Sequence, residues 1–268
     1  MLLGTQCVNA KGHLEIGGCD TVDLAEQFGT PLYVIDEATI RKNCREFKAA
    51  FDKRYPKNTI CFAGKSFLTS AMCRIIDEEG YNLDVASLGE LYVALHADFP
   101  RDRINMHGNN KSREELTLAI DSHIGHIVLD NFFEIELLSQ ILAEKEATVG
   151  VMVRCTPGVD PHTHKFISTG QADTKFGFNI KDGSALKAVK LAIADSRMHF
   201  DGIHCHVGSQ LLDTEAHEGA VDALLGLMSE ILAETGVQCN VLNIGGGLGV
   251  RYRTEHVPPT YDEFAETI

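Results

Sequence analysis

The chain has 268 residues, 44% of them hydrophobic and 23% charged, with a formal net charge of −14. That length can bury one large core and suits an α/β barrel of about 250 residues. The acidic balance argues against nucleic acid, whose phosphates need a basic surface, and no apolar stretch approaches the roughly 20 residues of a membrane span.

The start, Met1-Leu2-Leu3-Gly4, has neither the basic nor the apolar region of a secretory signal. Cys7, Cys19, Cys44, Cys61, Cys73, Cys155, Cys205 and Cys239 form no CxxC pair, and several lie in apolar runs where free cysteine acts as a small hydrophobe. A chain this long needs no disulfide framework, so a reducing cytoplasm is the expected setting.

In chain order, Asp36 is a good N-cap, and Ile40, Cys44, Phe47 and Phe51 follow it at helical spacing. Strands are predicted over 59–63, 83–86, 104–107, 126–129, 149–154, 200–206 and 241–244. Helical stretches separate most of them. Ser87-Leu88-Gly89-Glu90 and Ser112-Arg113-Glu114-Glu115 match the capping box. Asp130 and Asn131 can cap a helix toward Leu142, and Asp213 can start a long one through Leu224, Leu225, Met228 and Leu232. Such alternation means parallel strands joined by crossover helices. The long connection over 156–178 is rich in Gly, Pro, His and Thr, and a loop of that length inside a compact domain is usually functional.

One face of the predicted strands is repeatedly polar. Asn105 and His107 alternate with Ile104 and Met106. His204 and His206 alternate with Ile203, Cys205 and Val207. Arg154 shares a face with Gly150 and Met152. Side chains switch faces at every strand residue, so each polar set lies on one side, toward the C-terminal strand ends. A barrel with an apolar outside and a polar mouth fits best, because barrel active sites sit at that end.

Candidate chemistry gathers there. Lys65 stands in the apolar run Ile60-Cys61-Phe62-Ala63-Gly64-Lys65-Ser66-Phe67-Leu68. A desolvated amine is what a Schiff-base lysine needs; the alternative is a lysine at the strand end that reaches water along its stem. Gly245-Gly246-Gly247 follows a strand and lets backbone N–H groups approach a phosphate, or is a tight turn. His204 and His206 could ligate zinc, stack on a flat cofactor, or be satisfied core residues. No third metal ligand has convincing spacing, so no metal is expected. Asp84 and Glu90 are cofactor contacts or helix-start carboxylates. Ser209 is a phosphate contact or part of a plain turn. Arg154 holds a carboxylate or lines the barrel.

Together these segments resemble the pyridoxal-phosphate decarboxylases with an alanine-racemase-like barrel, the family of diaminopimelate and ornithine decarboxylases. The resemblance runs from Gly29 to Ile268. Phe62-Ala63-Gly64-Lys65-Ser66 looks like the cofactor-lysine motif, and 84–90 resembles the second-strand motif. Lys175-Phe176-Gly177 matches KFG. The segment 204–210 is similar to HxHxGSQ, and 245–249 to the phosphate loop. Thr163-His164-Lys165-Phe166-Ile167-Ser168-Thr169-Gly170 points to the diaminopimelate branch. The resemblance implies that Lys65 binds pyridoxal 5'-phosphate and that His206 stacks on its ring. It implies that Ser209 and the Gly245, Gly246 and Gly247 amides hold the phosphate, with Asp84, Glu90 and Arg154 near the cofactor. The implied reaction is decarboxylation of meso-diaminopimelate to L-lysine by a cytoplasmic homodimer.

The family's EPGR motif, on its eighth strand, is absent here. The resemblance therefore implies a (β/α)8-type TIM barrel with about seven of eight strands, without the following β-domain, and feeble or dead as a catalyst by itself. It implies that residues 1–35 pack with that β-domain and that 36–268 form the barrel. Alternatives are decarboxylation of ornithine, arginine or carboxynorspermidine, and a pyridoxal-phosphate-binding protein without catalysis. A zinc hydrolase built on His204 and His206 ranks behind both.

Overall fold

The structure, a computed structural model, describes residues 2–159 and 175–268. At the N-terminus β1 (Cys7–Val8), β2 (Leu14–Ile16) and β3 (Cys19–Asp20) form a small antiparallel sheet. It leads into α1 (Thr21–Phe28), whose first turn is capped by Asp20. Asp36 joins this unit to the rest. Its carboxylate accepts from Thr5 Oγ1 at 2.5 Å and caps α2 (Glu37–Asp52) through Thr39 N at 3.1 Å.

Seven parallel strands follow in the spatial order β4 (Cys61–Ala63), β5 (Asn82–Val85), β6 (Ile104–Met106), β7 (His126–Leu129), β8 (Val149–Thr156), β10 (Met198–His204) and β11 (Val241–Asn243). The two-residue β9 (Phe178–Asn179) pairs with the end of β8. Helices α3 (Ser70–Glu78), α4 (Leu88–His96), α5 (Arg113–Asp121), α6 (Phe132–Lys145), α7 (Ser184–Ala194) and α8 (Glu215–Thr235) form the crossovers. The last helix, α9 (Tyr261–Thr267), returns to α2. There Phe47 meets Tyr261 edge-on at 5.3 Å, and Arg54 pairs with Asp262 at 2.7 Å. This is an α/β barrel wall of seven strands, as expected from the sequence.

The apolar core is a shell between strands and helices. Leu83, Val85, Ile104, Met106, Ile127, Leu129, Val151, Val153 and Ile203 point outward from the sheet and are fully buried against helix residues such as Leu91, Leu116, Leu138 and Leu224. Each such side chain contributes about 1.5–3 kcal/mol of burial. The polar alternates face the barrel interior, so the alternation of the sequence is the alternation of the wall.

Several local expectations change. The segment around Lys65 is not strand throughout: β4 ends at Ala63 and Gly64–Ser66 form a 3₁₀ turn. The Asn131 side chain caps α6, not Asp130. Thr214, not Asp213, is the N-cap position of α8, and Leu225 and Leu232 are exposed while Leu227 and Ile231 turn inward. Ser112 and Glu115 form the full capping box. Ser87 forms only half of one, because Glu90 reaches past it to accept from Ala86 N at 2.6 Å. Glu134 does the same in α6, accepting from Asp130 N at 3.2 Å.

Candidate active site

Register sets the mouth of the barrel. Ala63 pairs with Asp84 and Asp84 with Asn105, while Arg154, His204 and Asn243 form one row across β8, β10 and β11. Lys65 lies two residues beyond Ala63, so its amine starts from the same end. Lys65 follows β4 and His206 follows β10, so in this parallel sheet both stand past the C-terminal strand ends, at one opening.

A polar network fills the interior below. Asn105 Nδ2 donates to Asp84 Oδ1 at 2.9 Å, and the other Asp84 oxygen lies 3.4 Å from His107 Nε2. The His107 ring meets His204 edge-on at 4.8 Å. His204 bonds Asn243, whose Oδ1 accepts from Gly245 N at 2.9 Å. Lower down, His126 bridges Asn105 Oδ1 at 3.1 Å and Asp201 Oδ2 at 2.9 Å. A register shift between Phe200 and Gly202 accompanies that contact, the kind of bulge that re-aims a side chain. Burial would raise the Asp84 carboxyl, but His107 and the bond from Asn105 outweigh it and hold Asp84 below the usual range, hence ionised. Burial and the charges of His107 and Arg154 drive His204 well below the usual histidine value, so it is neutral.

Two loops close the mouth beside β10 and β11. Leu211 N donates to Gly247 O at 2.9 Å and Gly249 N to Leu211 O at 2.7 Å. The Gln210 amide brackets Val250. The approach requires glycine. A Cβ on Gly245 would lie 2.3 Å from Cys205 O, and one on Gly247 would lie 2.2 Å from Gly208 O. Gly245 N–H is committed to Asn243, but among the described residues no acceptor meets the amides of Gly246 and Gly247.

Burial and the neighbouring charges of Lys65, Arg154 and His217 push His206 down to about 4. Its ring is therefore neutral near pH 7. Unfolding releases that ring to its ordinary value of about 6.5, so below pH 6.5 the unfolded chain binds a proton that the native one refuses. The resulting loss of stability opens below pH 6.5 and is complete once pH passes about 4. His206→Gln is expected to be less acid-sensitive than the wild type over that window, by about 2 kcal/mol at pH 5. Urea unfolding at pH 7 and pH 5 checks it.

The sequence-predicted residues divide as follows. Asp84, Arg154, His206 and the three glycines line the mouth, and Ser209 stands exposed beside the glycine loop. Lys65 is exposed too; the desolvation expected of it is not present, and the strand-end alternative describes its position. Glu90 has one oxygen committed to the turn before α4. The segment 163–170 lies outside the described residues. Sequence reasoning gave no role to Asn243, which fastens Gly245, or to Lys111 and Glu134, a buried pair 2.8 Å apart. An asparagine just before a glycine run was the available signal for the first. Among the described residues no group of three His, Cys, Asp or Glu side chains is arranged to hold a metal ion, and no helix is long and apolar enough to cross a membrane.

Comparison with known proteins agrees with this mouth. Residues 37–268 match the family model for "Pyridoxal-dependent decarboxylase, pyridoxal binding domain". The chain is 46% identical over 265 residues to a diaminopimelate decarboxylase of Bacillus methanolicus, covering 99% of this chain and 61% of that protein. It is 44% identical over 254 residues to one from Mycobacterium tuberculosis, covering 93% of this chain and 56% of the relative. A crystal structure of diaminopimelate decarboxylase from M. jannaschii in co-complex with L-lysine superposes with a TM-score of 0.91 at 34% identity, over 100% of this chain and 62% of that one. The chain thus spans about three fifths of the curated relatives it matches. The mouth fits the group that the family name implies: an exposed amine, two amides on a glycine loop unmet among the described residues, and a neutral imidazole at the same opening. The chain belongs to the pyridoxal-dependent decarboxylases, and residues 37–268 are a pyridoxal-binding domain of that family.

Proposed function

We infer that this chain holds pyridoxal 5'-phosphate on Lys65 and that the protein decarboxylates meso-diaminopimelate to L-lysine. The observation that carries the reading is that Lys65, His206 and the glycine loop follow the C-terminal ends of β4, β10 and β11 at one barrel mouth, where a Cβ on Gly245 would stand 3.0 Å from His206 Cα. Lys65 Nζ, carried past β4 by the 3₁₀ turn, is the amine that holds the aldehyde. The amides of Gly246 and Gly247 and the Ser209 hydroxyl take the phosphate. His206, neutral at pH 7, offers a ring face without adding positive charge. Asp84 and Arg154 supply one negative and one positive group at the same opening, the latter for an anionic oxygen. Glu90 keeps the turn above Asp84 in place. When bound, pyridoxal phosphate supplies the electron sink that lets the α-carboxylate leave as carbon dioxide, a proton taking its place.

The substrate assignment rests on the similarity to the diaminopimelate enzymes. We further propose a cytoplasmic setting, since the free state of all eight cysteines suits a reducing compartment, and a homodimer, as the family resemblance implies. Titration with pyridoxal phosphate is expected to give a new absorbance band that Lys65→Ala abolishes. Carbon dioxide is expected from meso-diaminopimelate ahead of ornithine and arginine. Light scattering is expected to give a dimer mass. A band that survives in Lys65→Ala refutes the lysine assignment, and release from ornithine or arginine ahead of meso-diaminopimelate overturns the substrate assignment.

A further inference from the structure

Arg154 is held from three sides by residues that the proposed chemistry does not use. The Phe176 ring lies 4.5 Å from its guanidinium carbon. Asp130 Oδ1 lies 3.7 Å from its Nη1. Gly177, at φ 71°, lies so close that a Cβ there would stand 3.0 Å from Arg154 Cγ and 2.8 Å from its carbonyl oxygen.

These three residues are themselves fastened. Asn109 Nδ2 donates to Lys175 O at 3.1 Å and Thr156 Oγ1 to Phe176 O at 2.7 Å, while Gly177 N–H donates to the Asp130 carboxylate. Asp130 N donates to Glu134 Oε2, and the other Glu134 oxygen meets Lys111 Nζ at 2.8 Å. Lys111 also donates to Gly108 O and Val128 O, both at 2.7 Å. The chain of contacts thus runs from a fully buried ion pair to one guanidinium at the mouth. A free arginine side chain loses up to about 2 kcal/mol of rotamer freedom when it is fixed, and these contacts supply part of that ordering before any ligand arrives.

We propose that Asp130, Phe176 and Gly177 are positioning residues for Arg154, so that the Lys175-Phe176-Gly177 segment presets the guanidinium for an anionic oxygen of the ligand. The direction of that ligand contact rests on the function proposed above; the bracing of Arg154 does not. A ligand-free readout separates the two. In a chain carrying ¹⁵N-arginine, the Arg154 Nε–Hε resonance, identified by its absence in Arg154→Lys, is expected to be ring-shifted and slow to exchange. Phe176→Leu and Asp130→Asn should each move it to the position of exposed arginines, and Phe176→Tyr should retain it. Circular dichroism and melting temperature identify any variant that has lost the fold. An Arg154 resonance unchanged in both Phe176→Leu and Asp130→Asn overturns the proposal.

Pyridoxal phosphate titration of the same variants forms the second arm. Phe176→Leu is expected to weaken binding roughly tenfold, the scale of one partly desolvated cation–π contact, and to add nothing in an Arg154→Lys background. A moved resonance with unchanged cofactor affinity supports the bracing and counts against the ligand assigned to Arg154.

Discussion

Lys111→Met is expected to destabilise the fold by about 3–5 kcal/mol, the cost of leaving half of a buried ion pair uncompensated. The side chains of Lys111 and Glu134 are only 1% and 2% exposed, so no water replaces the lost partner. Three acceptors surround the ammonium: Glu134, Gly108 O and Val128 O. Removing it strands a carboxylate and two carbonyls together. Domains are stable by only about 5–15 kcal/mol, so the loss is a large fraction of the whole. Burial already raises the Glu134 carboxyl, and Lys111 is the main opposing charge. Without Lys111 the carboxyl rises further, and the native state takes up a proton that the unfolded state does not. The penalty therefore shrinks as pH falls toward the ordinary glutamate value of about 4.3. The double change Lys111→Met with Glu134→Leu should recover part of the loss, since no lone charge remains. Urea unfolding at pH 7.5 and pH 5 measures all three. A loss under about 1 kcal/mol for Lys111→Met would show that the site admits water and that the pair is not closed as described.

Gly247→Ala is the second large effect. The added Cβ would stand 2.2 Å from Gly208 O, and the residue holds φ 118°, where side-chain-bearing residues are strained. Backbone strain of that kind costs of order 1–3 kcal/mol, and the carbonyl it meets belongs to the loop carrying Ser209. Relief requires the two loops to part, which stretches the Leu211 N to Gly247 O bond. Both proposed phosphate contacts then move. An ångström of misplacement commonly costs roughly 100-fold in a positioned site, and pyridoxal phosphate affinity is expected to fall by that order. Gly246→Ala is the control for the fold: a Cβ there meets nothing within 4 Å, so the melting temperature should not change. Equal melting temperatures and equal cofactor affinities for the two variants would refute the close approach of the loops.

The strands were legible because β-branched and aliphatic runs alternate with polar residues, and because Asp36, Ser112 and Asn131 announce helix starts. The N-terminal sheet was not, because strands of two or three residues set between glycine turns carry no periodicity. The exposure of Lys65 was hidden by apolar neighbours on both sides; the turn at Gly64–Ser66 is too short to interrupt a hydrophobic run. At the mouth, the lysine, the histidine pair and the glycines could be named from residue type and order. The bracing of Arg154 could not, since Lys111 reads as a loop lysine and Glu134 as the usual third residue of a helix. Only the fold brings them together across β6, β7 and α6.

The hydrophobic shell and the polar lumen have an engineering consequence. Because stability is stored outside the wall, in side chains such as Leu83 and Ile127, the half-buried lumen positions His126 and Asp201 can be randomised as a pair with less erosion of folding than the buried Asn105, whose loss would strand Asp84. Selection applied to such a library would report on chemistry rather than on survival of the scaffold, provided that Asn105, Lys111 and Glu134 are held constant.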